Sequence, residues 1–354
     1  MKWKFTLALL AIASATSRLP VSADEYPTSV VSNCLSSPTD CSPCSRGCPA
    51  ACAADNRCNC DDGIFRSLLG YSGYKAYGGA CRKGRLFGLF TASDCRFTNF
   101  ISPMTNPVYF EDPRNLTEAR VIFLNHQLPS AVLGGGDVQL FATQLRAALT
   151  DRLSIIAVKD GYIFAGQDAP PIEGWANVNV GLKYNLYADP VRQRLLSLGT
   201  RIEMPVGSYR ALQGNSGTSQ FDIFLSGGTQ LGSLSHLVST AGFRLPADTN
   251  KQNEQFFWSL HLDRRLPNRP LYGLFELNWY HWMTNVPGGL PVGGLDLYNF
   301  GSSGVAGTNI VTGALGLKYK PSLNSEVGFC WEVPLTARRD IMDNRLTADL
   351  ILRY

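Results

Sequence analysis

The sequence predicts an all-β fold: an antiparallel transmembrane β-barrel of about twelve strands, preceded by a cysteine-rich irregular region. Three observations carry that reading. From residue 119 onward, apolar and polar residues alternate repeatedly with the two-residue period of a strand. The connections between those segments alternate between short and long. After the first 23 residues, no apolar run approaches the roughly 18 residues that a membrane helix needs.

The first element, residues 1–23, reads MKWKFTLALLAIASATSRLPVSA. Lys2 and Lys4 precede an apolar stretch from Phe5 to Ala15, and the small residues Val21, Ser22 and Ala23 follow. This is the layout of a secretory signal peptide cut before Asp24, so the protein is expected to leave the cytoplasm. Cys34, the first cysteine, lies well beyond the apolar stretch, which argues against a lipid-anchored form. Removing Lys2, Lys4 and Arg18 from the 32 basic residues leaves 29, against 28 acidic ones. A near-neutral chain has no electrostatic footprint for nucleic acid. With 17% charged residues, 34 glycines and 11% aromatics, an exported chain of this kind is a soluble β-protein or a membrane barrel. Only helices and closed barrels satisfy their backbone groups in lipid.

Residues 24–118 differ in kind. Seven cysteines fall within 27 residues (Cys34, Cys41, Cys44, Cys48, Cys52, Cys58 and Cys60), Cys81 and Cys95 follow, and Cys330 stands apart. An oxidising envelope turns paired thiols into disulfides, so the nine are expected to be disulfide-bonded in a periplasmic region. The run CSPCSRGCPAAC has some likeness to an iron–sulfur or all-cysteine zinc site. Its spacing departs from the ferredoxin pattern, however, and none of the four histidines is near. No metal and no cofactor is assigned. Nine is an odd number. One cysteine therefore stays free, bonds another chain, or reaches Cys330, and in the last case a segment of this region would enter the barrel as a plug. The joining stretch NPVYFEDPRNLTEAR (106–120) gathers Glu111, Asp112, Arg114, Glu118 and Arg120 in a chain otherwise poor in charge. It reads as a turn and capping segment leading into the first strand, or as a lumen constriction or ion site.

The barrel is expected over 119–354. Its clearest strand is WANVNVGLKYNLY, where Ala176, Val178, Val180, Leu182, Tyr184 and Leu186 oppose Asn177, Asn179, Gly181, Lys183 and Asn185. QFFWSLHLD, LYGLFELNWYHW, VTGALGLKY, SEVGFCWEV and LTADLILRY alternate likewise, Ile351 being the misfit in the last. Weaker strands lie near 119–127, 138–149, 153–164, 194–204, 220–228 and 234–245. The polar faces assign Lys183, Arg201, Glu203, Arg244, Glu276, Lys318, Glu326, Glu332, Asp349 and Arg353 to the lumen. Tight turns at 150–152, 188–193, 228–233, 265–270 and 320–324 carry the expected Asp, Asn, Pro and Gly chemistry. Longer loops, 205–219, 246–254 and 283–308, fall between them. Short turns at one end and long loops at the other suit a transmembrane barrel, as do Tyr184, Trp258, Trp279 and Trp331 near strand ends.

On these features the chain resembles bacterial outer-membrane β-barrels: the signal peptide, the strands of about ten residues and the final LTADLILRY. The resemblance covers 119–354, matches no particular porin or transporter family, and concerns architecture rather than substrate. It implies a place in outer-membrane lipid and a last strand, ending at Tyr354, that the barrel-assembly machinery reads as an assembly signal. A homo-oligomer or a disulfide-linked envelope partner is left open.

No catalytic motif stands out. Ser259, His261 and Asp263 share one strand face, but neighbours on such a face are roughly 7 Å apart, too far for a nucleophile to touch its base. Ser235 and His236 point to opposite faces. The protein is therefore read as no enzyme, and its mixed-charge lumen as a porin-like passive channel for small hydrophilic solutes. The alternatives are a non-conducting barrel that anchors the cysteine-rich segment, and a secreted soluble β-protein that binds glycans.

Overall fold

The computed structural model describes residues 84–131, 134–166, 169–214 and 217–354. The expected signal peptide lies outside them, as do the nine clustered cysteines except Cys95. Among the described residues there are twelve long strands. They are β1 (Glu118–Gln127), β2 (Asp137–Ala148), β3 (Leu153–Lys159), β4 (Val178–Asp189), β5 (Arg194–Met204) and β6 (Gln220–Leu231), then β7 (Ser235–Pro246), β8 (Gln255–Arg265), β9 (Leu271–Trp282), β10 (Asn309–Ser322), β11 (Ser325–Pro334) and β12 (Asn344–Arg353). Each pairs antiparallel with the next, and β12 returns to β1, with Asn344 opposite Gln127 and Arg353 opposite Glu118. The sheet is a closed barrel. Closure leaves no edge of unpaired N–H and C=O groups, which in lipid would cost several kcal/mol each.

Alternation sets which side chain goes where. On β10, Leu315, Leu317 and Tyr319 are exposed at 66%, 54% and 47%, while Thr312, Ala314 and Lys318 are buried. On β12, Leu350 and Leu352 face out, and Arg345, Thr347, Asp349, Ile351 and Arg353 are buried. The misfit Ile351 is an apolar residue on the inner face. An exterior of leucine, phenylalanine, valine and tyrosine around a closed sheet is made for lipid, which sets aside the soluble glycan-binding reading. Trp258, Trp279 and Trp331 stand near the long-loop end, and their indole N–H groups donate to Ser239, Asn309 and Asn344. Rings with one polar edge belong at a lipid–water interface. Tyr184 instead stands opposite Leu153, toward the turn end.

The connections sort by length. Residues 149–152, 190–193, 232–234, 266–270 and 323–324 make the short end, and 128–136, 160–177, 205–219, 247–254, 283–308 and 335–343 the long end. The segment 153–164, expected as one strand, is interrupted at Asp160 and Gly161. Beyond them Tyr162–Ala165 pairs with β2 and with Gly174–Trp175.

Two elements fill the interior. The first is the stretch before β1, where every residue from Phe100 to Glu118 is buried. It enters at the turn end, where the Ser93 N–H donates to the Tyr354 carbonyl at 2.7 Å and the Asp94 N–H to the Asn115 carbonyl at 2.9 Å. It rises to Asn106, at φ +50, whose carbonyl accepts from both Tyr109 and Phe110, and then descends into β1. Pro103, Pro107 and Pro113 cannot donate to a ladder, which keeps this hairpin irregular. The second element is the 283–308 loop, which folds inward over Gly293–Phe300. The stretch 106–120 is therefore more than a turn and cap leading into the first strand: its charge cluster lies inside the barrel.

Candidate functional site

An irregular hairpin inside a barrel has main-chain groups with no ladder to join, and buried groups of that kind need partners. The inner wall supplies them, in three tiers. At the turn end, Lys318 Nζ donates to the Ser102 carbonyl at 2.8 Å, Lys320 Nζ to the Phe100 carbonyl at 2.7 Å, and the Ser102 N–H to Glu326 at 3.1 Å. Arg353 ties the same place together, donating to Ser102 Oγ at 2.8 Å and to Glu118 at 2.7 Å. Asp349 pairs with Lys318 at 3.0 Å and Arg120 at 2.9 Å.

At mid-height Glu111 is the centre. It accepts from Arg146 Nε and Nη2, both at 2.9 Å, and from Lys183 Nζ at 2.7 Å. Its carbonyl takes the hydroxyls of Ser226 at 2.6 Å and Thr240 at 2.9 Å. Asp112 and Arg114 pair with each other at 2.7 Å, within the hairpin. On the opposite arm, Glu276 accepts the N–H groups of Met104 at 2.8 Å and Thr105 at 2.6 Å, together with the Thr105 hydroxyl. Gly328 gives Met104 its room, since a Cβ there would lie 2.5 Å from the methionine sulfur.

Toward the loop end the hairpin tip meets the folded-in loop. Arg201 donates to the Val108 carbonyl, and Arg244 to the Tyr109 hydroxyl. Tyr109 donates to the Leu295 carbonyl at 3.2 Å and stacks on Phe257, with ring centroids 4.8 Å apart. Glu203 joins Arg244 and Lys159, each at 2.7 Å, to Asn299 of the loop at 2.9 Å. Asp296 of the loop pairs with Arg345 at 2.8 Å. Asp340, between β11 and β12, accepts the Gly293 N–H at 2.7 Å and so ties two long loops together. Burial pushes its carboxyl up from the ordinary range, against the pull of that bond and of Arg338.

All ten residues assigned from their alternation to the lumen, Glu332 among them, are buried on the inner face. Glu332 accepts from Asn278 at 2.9 Å. Sequence reasoning missed Arg146, Lys159, Asp222, Lys320 and Arg345, which are buried there too. The signal was present: Lys320 follows Lys318, and Arg345 precedes Thr347, by one strand period.

Several expectations change. Cys330 is a free, buried thiol packed with Ile101, Met104, Tyr272, Leu274 and Ala314, so the odd cysteine of the N-terminal set does not reach it. The hairpin is held by polar contacts instead. Ser259 Oγ donates to Asn278 at 2.7 Å and accepts from Asn106 at 2.9 Å. His261 lies between Glu276 at 2.6 Å and Asp263 at 3.2 Å, and His236 meets Asp263 at 2.7 Å. These groups form one buried chain of carboxylates and imidazoles on the inner wall. A hollow of about 30 Å³ remains at the turn end, lined by Phe97, Arg114, Lys320 and Arg353, with room for little more than water.

No protein-family model matches the chain, and no curated protein matches its sequence. Solved structures match by fold. An outer membrane channel from Pseudomonas putida F1 aligns over 72% of this chain and 100% of its own, at TM-score 0.53 and 12% identity. The KdgM porin in complex with disordered oligogalacturonate aligns over 66% of this chain and 99% of its own, at TM-score 0.41 and 9% identity. The NanC porin aligns over 67% and 98%, at TM-score 0.41 and 7% identity. The first of these likenesses shows the fold, a twelve-stranded antiparallel barrel, and the apolar belt suits that barrel to lipid.

Proposed function

We propose that the protein is a porin-like channel for small hydrophilic solutes, closed in the state described here by the 97–117 hairpin and the 293–300 loop segment. One observation carries the reading. Charged side chains of the inner wall make hydrogen bonds to the main chain and hydroxyls of one irregular hairpin: Arg201, Glu276, Lys318, Lys320, Glu326 and Arg353 all do so. Water can take over each of those bonds at small net cost. Withdrawal of the hairpin then leaves a path walled by mixed charge, which passes hydrophilic solutes. The number of interior bonds favours a second reading, a barrel that stays shut and anchors the N-terminal region. Single-channel recording of the full chain in planar bilayers separates the two. The channel reading expects rare openings that become frequent when Glu111 is replaced. A silent bilayer with both proteins would leave the anchor reading standing.

A further inference from the structure

The barrel wall has a weak place where β2 meets β3. β2 pairs with β3 through Leu145–Ala148, and with Tyr162–Ala165 through Val138–Phe141. Between these ladders three residues, Ala142, Thr143 and Gln144, face the four residues Val158 to Gly161. One residue too many is held there, as in a bulge. Side chains stand in for the missing ladder: the Thr143 N–H donates to Asp160 Oδ1 at 3.0 Å, and Gln144 Nε2 donates to the Val158 carbonyl at 2.6 Å. Gly161, at φ +106, lets the two backbones close up, since a Cβ there would lie 2.3 Å from the Phe141 carbonyl oxygen. The defect sits at mid-height, because Thr143 is the seventh of the 12 residues of β2.

A hollow lies on each side of it. The outer one, about 490 Å³, is walled by Val121, Phe141, Trp175, Val178 and Val206. The inner one, about 20 Å³, is walled by Ile122, Leu124, Leu140, Val158, Ile163 and Leu297. Ala142, Asp160 and Ala176 line both, so the two hollows approach each other across these residues. Behind the defect β1, β2 and β3 turn mainly apolar side chains inward, with Gln144, Lys159 and Asp296 at the edge of the hollow.

We propose that this defect is a lateral portal through which a small uncharged apolar molecule passes between the bilayer and the apolar sector of the barrel interior, with Asp160 as its latch. The occupant follows from the surroundings. Only what dissolves in the hydrocarbon reaches the outer hollow, and both linings are mainly apolar, with Asp160 the acidic side chain they share. In the described state the portal is shut, since the inner hollow holds little more than a water molecule. The bulge is held to β2 by two side-chain hydrogen bonds, so opening it leaves the flanking ladders intact. The portal does not depend on the axial path proposed above.

The test is photolabelling of the full chain in liposomes, with a medium-chain alkyl diazirine partitioned into the bilayer and labelled residues mapped by mass spectrometry. Label is expected at Phe141 and Trp175 and, at lower yield, at the inward residues Leu124, Leu140 and Ile163. Asp160→Ala should raise the inward labelling about tenfold, the population shift expected from losing one hydrogen bond to a charged group. Asp160→Asn keeps an acceptor for the Thr143 N–H and should behave like the parent. Thr143→Trp fills the outer hollow and should abolish inward label while leaving Leu315 and Leu317, across the barrel, labelled as before. Heat-dependent gel migration checks that each variant is a closed barrel. Label spread evenly around the outer belt and absent from the inner residues of both the parent and Asp160→Ala would overturn the portal.

Discussion

Replacing Glu111 by alanine should open the barrel. Among the described residues the carboxylate is the sole side-chain counter-charge within 4 Å for Lys183, and it shares Arg146 with Glu118, which stands 3.1 Å from that guanidinium. Both cations are at most 2% exposed. Removing one partner of a buried pair costs about 3–5 kcal/mol, and the lower end applies because Arg146 keeps Glu118. The cost falls on the closed state alone, because both cations meet water once the hairpin withdraws. A shift of about 3 kcal/mol multiplies the open population roughly a hundredfold. Single-channel open probability reads this directly. The rate at which a thiol reagent modifies Val108→Cys at the hairpin tip should rise by a similar factor. Glu111→Gln keeps an acceptor and should fall between parent and alanine. An unchanged open probability in a correctly closed Glu111→Ala barrel would refute the idea that this triad holds the hairpin in place.

Gly328→Val should also favour opening, by about 1–3 kcal/mol of overpacking against Met104, seen as longer dwell times in the conducting state. Leu182→Arg puts a cation on the lipid face and should destabilise the barrel by about 2–4 kcal/mol if it lies near the bilayer midplane, measured by denaturant unfolding in liposomes. Short tags at Ala306–Gly307 should be reachable by antibody on intact cells, and a tag at Val191, 94% exposed at the turn end, should not; labelling at Val191 would invert the orientation. Tyr354→Phe should accumulate in the outer membrane like the parent, and Tyr354→Asp much less, by fractionation and immunoblot, if the assembly machinery reads that residue.

The wall of this protein was legible in its sequence because a strand's side-chain period is two, and a barrel with lipid outside and polar groups inside obeys it almost everywhere. Lys183 and Lys318 are found that way. The strand expected over 153–164 failed at Asp160 and Gly161 for a physical reason: a bulge keeps the chain extended while shifting its pairing by one residue, which alternation does not register. The hairpin was harder. Nothing local marks Phe100 to Glu118 as buried, since its partners Arg146, Glu276 and Lys318 lie far along the chain. Its one visible sign was the cluster Glu111, Asp112 and Arg114 in a chain with few charges. Cys330 misled in the opposite sense: its place on the polar face suggested a bond, and the structure gives it an apolar niche beside Met104.

The same period explains why the interior takes its present form. Many charges at alternate positions of the strands pair with one another along the wall, but those left over, such as Lys183, need another partner, and an unpaired buried charge is expensive. Two solutions exist: admit water, or insert a segment rich in carbonyls, N–H groups and countercharges. Residues 100–117 have that composition, with three prolines that keep the main chain free of any ladder of its own. Wall charges that reach the hairpin, such as Lys183 and Glu276, then have one partner when it is in and another, water, when it is out. Phe97, Phe100 and Phe110 pack against Leu195 and Val238 toward the turn end where the hairpin enters, so its base is seated by packing as well as by the ions of that end. Such a segment can loosen at Glu111 and Glu276 while its base stays docked. The solute path in this reading opens by a rearrangement inside the barrel and needs no expulsion of the whole segment.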